Sequence, residues 1–289
     1  MGGGTIKHIT KLLSVLFVLS FAQSAWAACV VNGTSYKTSH PLSRGEKVTR
    51  TQMLAWSSGD VTTCDVTDSS LSNMSELFMN KTGFDQDLSA WDTSSVTDMF
   101  RMFYNATSLT SVTLPTTGIV TNMRLMFGNA TDLTSVSLPQ TGAVLDMGYM
   151  FSGASAFNQD IGDWNTSSVI DMDSMFKDAS NFNRDIGDWN TSSVRNMRSI
   201  FLGASNFNQN IRRWNVDNVT DFTYMFWDAT EMISTYSGVS GFNTTPTASF
   251  FDSTAPSITS VSLNSDNNAL TITFNENVYD TTGGSGDLE

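Results

Sequence analysis

Apolar residues in the middle of the chain recur in ladders. Phe78, Phe103, Phe127, Phe151, Phe176, Phe201, Phe226 and Phe251 follow one another at steps of 24 or 25 residues. Four positions before the first seven stand Met74, Met99, Met123, Met147, Met172, Met197 and Phe222. Three before those stand Leu71, Val96, Val120, Val144, Val169, Val194 and Val219, and Ala106, Ala130, Ala154, Ala179, Ala204 and Ala229 complete the phase. The stretch "FNQDIGDWNTSSVIDMDSMF" (Phe157 to Phe176) returns as "FNRDIGDWNTSSVRNMRSIF" and again as "FNQNIRRWNVDNVTDFTYMF". A period near 25 with several in-register apolar positions is the signature of repeats that bury their apolar stripes against their neighbours. The pattern predicts a leucine-rich-repeat-like solenoid of seven to eight coils, each built from a short strand and a short helical or 3-10 turn.

Two kinds of unit carry the strand segment. "LTSVTLP" (Leu109 to Pro115) and "LTSVSLP" (Leu133 to Pro139) have the L-x-x-L-x-L spacing of a repeat strand, apolar on alternate residues at its end. The others read "FDQDLSAW", "FNQDIGDW", "FNRDIGDW" and "FNQNIRRW", one residue longer, with Trp where the first kind has Pro115 or Pro139. The spacing of Val96, Met99, Met102 and Phe103 suits a helical or 3-10 turn.

The units "VTDMFRMFYNATSLTSVTLP" and "ASAFNQDIGDWNTSSVIDMDSMFKDAS" resemble the BspA-type leucine-rich repeats of bacterial surface proteins, over about Leu71 to Phe251. The resemblance implies a curved solenoid displayed outside the cell. Members are associated with adhesion to host or matrix proteins or to other cells, and the family offers no catalytic motif to carry over.

The flanks divide the chain further. Residues 1–27 read as a secretory signal peptide: Lys7 and Lys11, an apolar run from Leu12 to Ala22, then "AWA" with cleavage before Ala28. The run is about 11 residues, too short to span a bilayer. The alternative is a lipoprotein signal with Cys29 lipidated, although Trp26 stands where such signals prefer Leu. No other stretch is long and apolar enough to anchor the chain in a membrane. Residues 28–70 read as an N-terminal cap, 71–254 as the repeat array, and 255–289 as an incomplete β module. In that last segment Ile258–Leu263 and Ala269–Val278 alternate apolar and polar around an Asp/Asn turn. It resembles the opening strands of bacterial immunoglobulin-like modules, which need about seven strands; the expectation is a piece of a longer surface protein, monomeric within it.

Composition narrows the partners. There are 28 Asp and Glu against 15 Lys and Arg, a net charge of −13, which disfavours nucleic acid and anionic membrane. Cys29 and Cys64, the only cysteines, suggest a disulfide in an exported chain. A metal site lacks ligands, since His40 is the only histidine left once the signal is removed.

Candidate chemistry is confined to the repeat surface. Asp160 and Asp163 recur as Asp185 and Asp188; paired carboxylates hydrolyse glycosides only across a cleft, and recurrence at the repeat period points to turn caps or solvated acids. Trp91, Trp164, Trp189 and Trp214 read either as core or rim packing or as a sugar platform, and the methionines as core. Asp163, Asp188, Arg212 and Arg213 form the candidate binding patch, because the Arg pair breaks the acidic pattern; Ser111, Thr113, Ser135 and Ser137 extend it along the middle. No nucleophile elbow, phosphate loop or zinc pattern occurs. The reading is a secreted or cell-surface binding protein for an extracellular protein or glycan, without catalysis, cofactor or metal. A structural stalk that displays other modules is the alternative.

Overall fold

The computed structural model describes residues 29–36, 47–251, 258–263 and 270–274. The signal peptide expected over 1–27 and its cleavage point lie outside these residues. Three two-stranded sheets form among them. β1 (Cys29–Val31) pairs antiparallel with β2 (Thr34–Tyr36), β3 (Ser111–Thr113) parallel with β4 (Ser135–Ser137), and β5 (Ile258–Leu263) antiparallel with β6 (Leu270–Phe274). The helices are α1 (Arg50–Leu54) and α2 (Thr230–Tyr236), with 3-10 turns at Ser69–Ser72 and Ala248–Phe251.

This is not the leucine-rich-repeat-like solenoid expected above. Only two of the repeats contribute a strand, each of three residues, and of the two α-helices only α2 falls inside the array, in its last step between Phe226 and Phe251. The rest is loops and turns. The reason lies in the backbone of the segment that was expected to turn helically. Tyr149 and Gly153 have φ of 56° and 72°, and Glu76, Asn80, Arg101, Asn105, Leu125, Asn129, Ser174, Asp178, Ser199, Gly203, Tyr224 and Asp228 repeat the pair of left-handed positions. A left-handed residue every fourth position forbids a right-handed helix. Tight turns replace it, with Met150, Ser152 and Ala154 N–H groups donating back to the carbonyls of Met147, Tyr149 and Phe151.

The intervening N–H groups point to the next repeat. Met147, Tyr149, Phe151 and Gly153 donate to the carbonyls of Asp171, Asp173, Met175 and Lys177 at 2.7–3.0 Å. Single parallel bridges run Asn73–Asp98–Asn122–Asp146–Asp171–Asn196–Asp221. Inside, Phe78, Phe103, Phe127, Phe151, Phe176, Phe201 and Phe226 stack at centroid distances of 5.5–6.0 Å. Phe157, Phe182 and Phe207 make a second column at about the same spacing. The Met and Ala positions are buried through almost the whole array.

A stack linked this way leaves carbonyls open at its first repeat and N–H groups open at its last. At the N-terminal end Arg50 donates from Nε to Asn73 O at 3.0 Å and from Nη2 to Ser75 O at 2.6 Å. Trp56 packs edge-on against Phe78 and Phe84. A capping box between Thr49 and Gln52 starts α1, and the Cys29–Cys64 disulfide ties β1 to the segment beneath it. At the other end Phe226 N–H donates to Thr244 O and Tyr224 N–H to the Thr245 hydroxyl, both at 3.0 Å. Phe242 and Phe250 close over Phe226.

Candidate binding surface

Most residues that recur in phase serve the repeat itself. Asp87, Asp160, Asp185 and Asn210 each accept a hydrogen bond from the backbone N–H two residues on, at 2.8–3.1 Å. They are turn caps. A second Asx column, not singled out from the sequence, does the same at every bridge: Asn73, Asp98, Asn122, Asp146, Asp171, Asn196 and Asp221. Its signal is an Asn or Asp immediately before each residue of the Met ladder.

Where two acids of that column are adjacent, a cation answers them. Arg124 lies 3.5 Å from Asp146, 3.4 Å from Asp171 and 3.6 Å from Asp173, over the Tyr149 ring. Burial pushes the Asp146 carboxyl above its ordinary value, against the pull of the Gly148 N–H and of Arg124. Asp92 and Asp221 move the other way, held down by hydrogen bonds from Ser94 and Thr223.

The four charged residues of the expected patch are divided among different tasks. Arg212 is half-buried and donates from Nε to Phe250 O at 3.2 Å, helping to hold the C-terminal turn. Arg213 faces Asp188 at 3.6 Å, both largely exposed, a pair of little energetic weight. Asp163 stands apart, exposed, beside Trp164. Ser111, Thr113, Ser135 and Ser137 are exposed on β3 and β4; the first two border a shallow concavity of about 460 Å³ with Asp85, Gln86 and Asp87.

The tryptophans are not equivalent. Trp91, Trp189 and Trp214 are buried, and their indole N–H groups donate to the carbonyls of Val61, Ile161 and Ile186 in the preceding repeat at 2.8–3.1 Å. Trp164 is only partly buried. Below it the chain carries Pro139 where an indole would otherwise lie, and the space left is a hollow of about 660 Å³. Pro139, Gln140, Gly142, Asp163, Trp164 and Asn165 are among its walls. Among the described residues Ile119, Leu145, Ile170, Tyr224 and Trp227 are large apolar side chains left exposed.

These features define a class first: a repeat protein whose periodic residues hold the array together and whose surface individuality sits at breaks in the period. The chain belongs to the family described as Mycoplasma protein of unknown function, DUF285, whose model matches residues 51–137 and 121–239. The match is to this bacterial repeat family and not to BspA-type leucine-rich repeats. Among curated proteins, and among solved structures, none matches the chain. Among the described residues no helix is long and apolar enough to cross a membrane.

Proposed function

We propose that the chain is an exported binding module, displayed at the bacterial surface or released from it, that recognises an extracellular protein or glycan and performs no chemistry on it. The observation that carries the reading is the division of labour among its side chains. The recurring acids cap turns, and what is left for a partner is aperiodic, chiefly the hollow beside Asp163 and Trp164. Two further points support export. A disulfide such as Cys29–Cys64 persists in oxidising compartments. The same bond occupies the Cys29 sulfur, which favours a cleaved leader over a lipid anchor on that residue. The resemblance of the repeats to those of bacterial surface proteins points the same way.

The test is direct binding of the chain from Ala28 onward to a panel of immobilised extracellular-matrix proteins and glycans. Saturable binding to at least one of them is the expected result. A spacer role, favoured by the separate antiparallel pair β5–β6 beyond the repeats, predicts that nothing in the panel is held.

A further inference from the structure

The hollow arises where the repeat changes type. The indoles of Trp189 and Trp214 stack at 6.3 Å and each bonds the repeat before it. Trp164 has a Pro-type repeat before it. The carbonyl in register with those of Ile161 and Ile186 is Val136 O, which accepts from Gln159 Nε2 at 2.8 Å, and the neighbouring Ser137 O accepts from Leu114 N–H at 3.1 Å. Among the described residues the Trp164 indole N–H finds no protein acceptor, and it is not an enclosed, unsatisfied donor either. It is reached by solvent, and the indole forms part of the hollow's wall.

The other groups there are held but unused. Asn165 Oδ1 accepts from Ser167 N–H at 3.1 Å and from the Ser167 hydroxyl at 2.7 Å, which fixes the amide and leaves Nδ2 to donate. That nitrogen lies 2.8 Å from where a Cβ on Gly142 would be, and Gln140 Oε1 lies 2.5 Å from the same point on Gly118. Both amides rest against glycine backbone in a space that a side chain would fill. The Asp163 carboxylate is exposed and makes no bond within the described residues.

The geometry points to a subsite for one pyranose ring of a neutral or N-acetylated glycan, seated against Trp164. A pyranose presents C–H bonds on one face, suited to the negative face of an indole, and hydroxyls around its rim that both donate and accept. The hollow offers both kinds of partner: donors at Trp164 Nε1 and Asn165 Nδ2, acceptors at Asp163 and Gln140 Oε1. A quaternary ammonium group would use the indole face and the carboxylate but leave both donors idle. An acidic sugar would meet Asp163 and a chain of net charge −13. The hollow, about 660 Å³, is open to solvent, so a terminal ring of a glycan can enter it from the surface. The inference rests on the binding reading above and names its ligand.

The experiment is an array of immobilised glycans ending in neutral hexose, N-acetylhexosamine or sialic acid, probed with the chain from Ala28 onward. Binding is expected to a hexose- or N-acetylhexosamine-terminated glycan. Asp163→Asn and Trp164→Leu should each weaken it about tenfold or more, Gly142→Ser should weaken it by displacing the Asn165 amide, and Asp217→Asn, at an exposed carboxylate outside the hollow, should leave it unchanged. Melting followed by circular dichroism checks the fold; if Trp164→Leu does not fold, the exposed Asp163→Asn variant carries the test. Binding unchanged in Asp163→Asn, a preference for sialic acid, or displacement of the glycan by tetramethylammonium overturns the subsite. Capture of a matrix protein with no glycan bound also overturns it while leaving the binding reading standing. Binding of neither removes both.

Discussion

Asp146 shows how a single side chain balances cap, ion pair and burial. Its carboxylate caps Gly148 N–H at 2.8 Å and faces Arg124 at 3.5 Å, yet burial outweighs both and raises its proton affinity. A carboxyl raised in the folded state binds its proton more tightly there than in the unfolded chain. Its charged form therefore costs stability above the folded-state pKa, and the cost is relieved as pH falls through that value toward the unfolded one. Asn serves the same cap at Asn122 and Asn196. Asp146→Asn is therefore expected to raise the melting temperature at pH 7, with the gain shrinking on acidification. A lower melting temperature at neutral pH would mean that the Arg124 pair dominates. Asp92 and Asp221 carry the opposite sign: their carboxyls are lowered, so their contribution is present above the unfolded pKa and lost as pH falls through the folded one.

Within a repeat, the element that most repays attention is a column of buried threonines. Thr93, Thr117, Thr141, Thr166 and Thr191 are almost wholly enclosed. Each hydroxyl donates to a carbonyl of the following repeat: Thr141 to Asn165 O at 3.1 Å, Thr166 to Asn190 O at 3.0 Å, Thr191 to Asn215 O at 2.8 Å. The column ends at Val216, which has no hydroxyl to give. Thr166→Val keeps the shape and leaves Asn190 O without that donor, so a loss of roughly 1–3 kcal/mol is expected, read from urea unfolding. An unchanged midpoint would place the ladder's worth in shape alone. In the sequence Thr93, Thr166 and Thr191 each open a Thr-Ser-Ser run, a composition common in plain turns. The phase of Phe, Met and Ala was legible because a buried column tolerates few residue types. The threonine was legible in principle, since it recurs too, but hydroxyl residues are common in real turns. The Val-x-x-Met-x-x-Met-Phe spacing misled for a physical reason: alternating right- and left-handed turns also return apolar side chains to one side every three or four residues. Asn80, Asn105, Asn129, Gly153, Asp178, Gly203 and Asp228 marked one left-handed position by residue type. Glu76, Arg101, Leu125, Tyr149 and Tyr224 mark the other, and nothing in those side chains announces positive φ.

The candidate site was half visible in the same way. Asp163 entered the expected patch only with the Arg212 and Arg213 pair that breaks the acidic pattern, and the hollow beside it depends on what Pro139 fails to fill, a property of two repeats together. The molecule as a whole depends on such neighbour relations, because each repeat is bonded chiefly to the one before and the one after. Stability in such an array is close to a sum over repeats and their interfaces, with the ends most exposed to loss. The N-terminal end relies on residues that have little structure of their own: β1 and β2 are three residues each, tied down by Val30 N–H to Asp60 O, Asn32 N–H to Ser58 O and the Cys29–Cys64 bond. The bond closes a loop with a sequence separation of 35, worth roughly 3–4 kcal/mol on the chain-entropy model. Reduction, or Cys64→Ser, is therefore expected to release the cap before the array. Hydrogen exchange should quicken over residues 29–36 and 47–66, where Trp56 covers Phe78 and Phe84, while the repeats from Phe176 to Phe226 keep their protection. Uniform loss of protection along the chain would show instead that the array unfolds as one unit and that the cap is needed by every repeat, not only by the first.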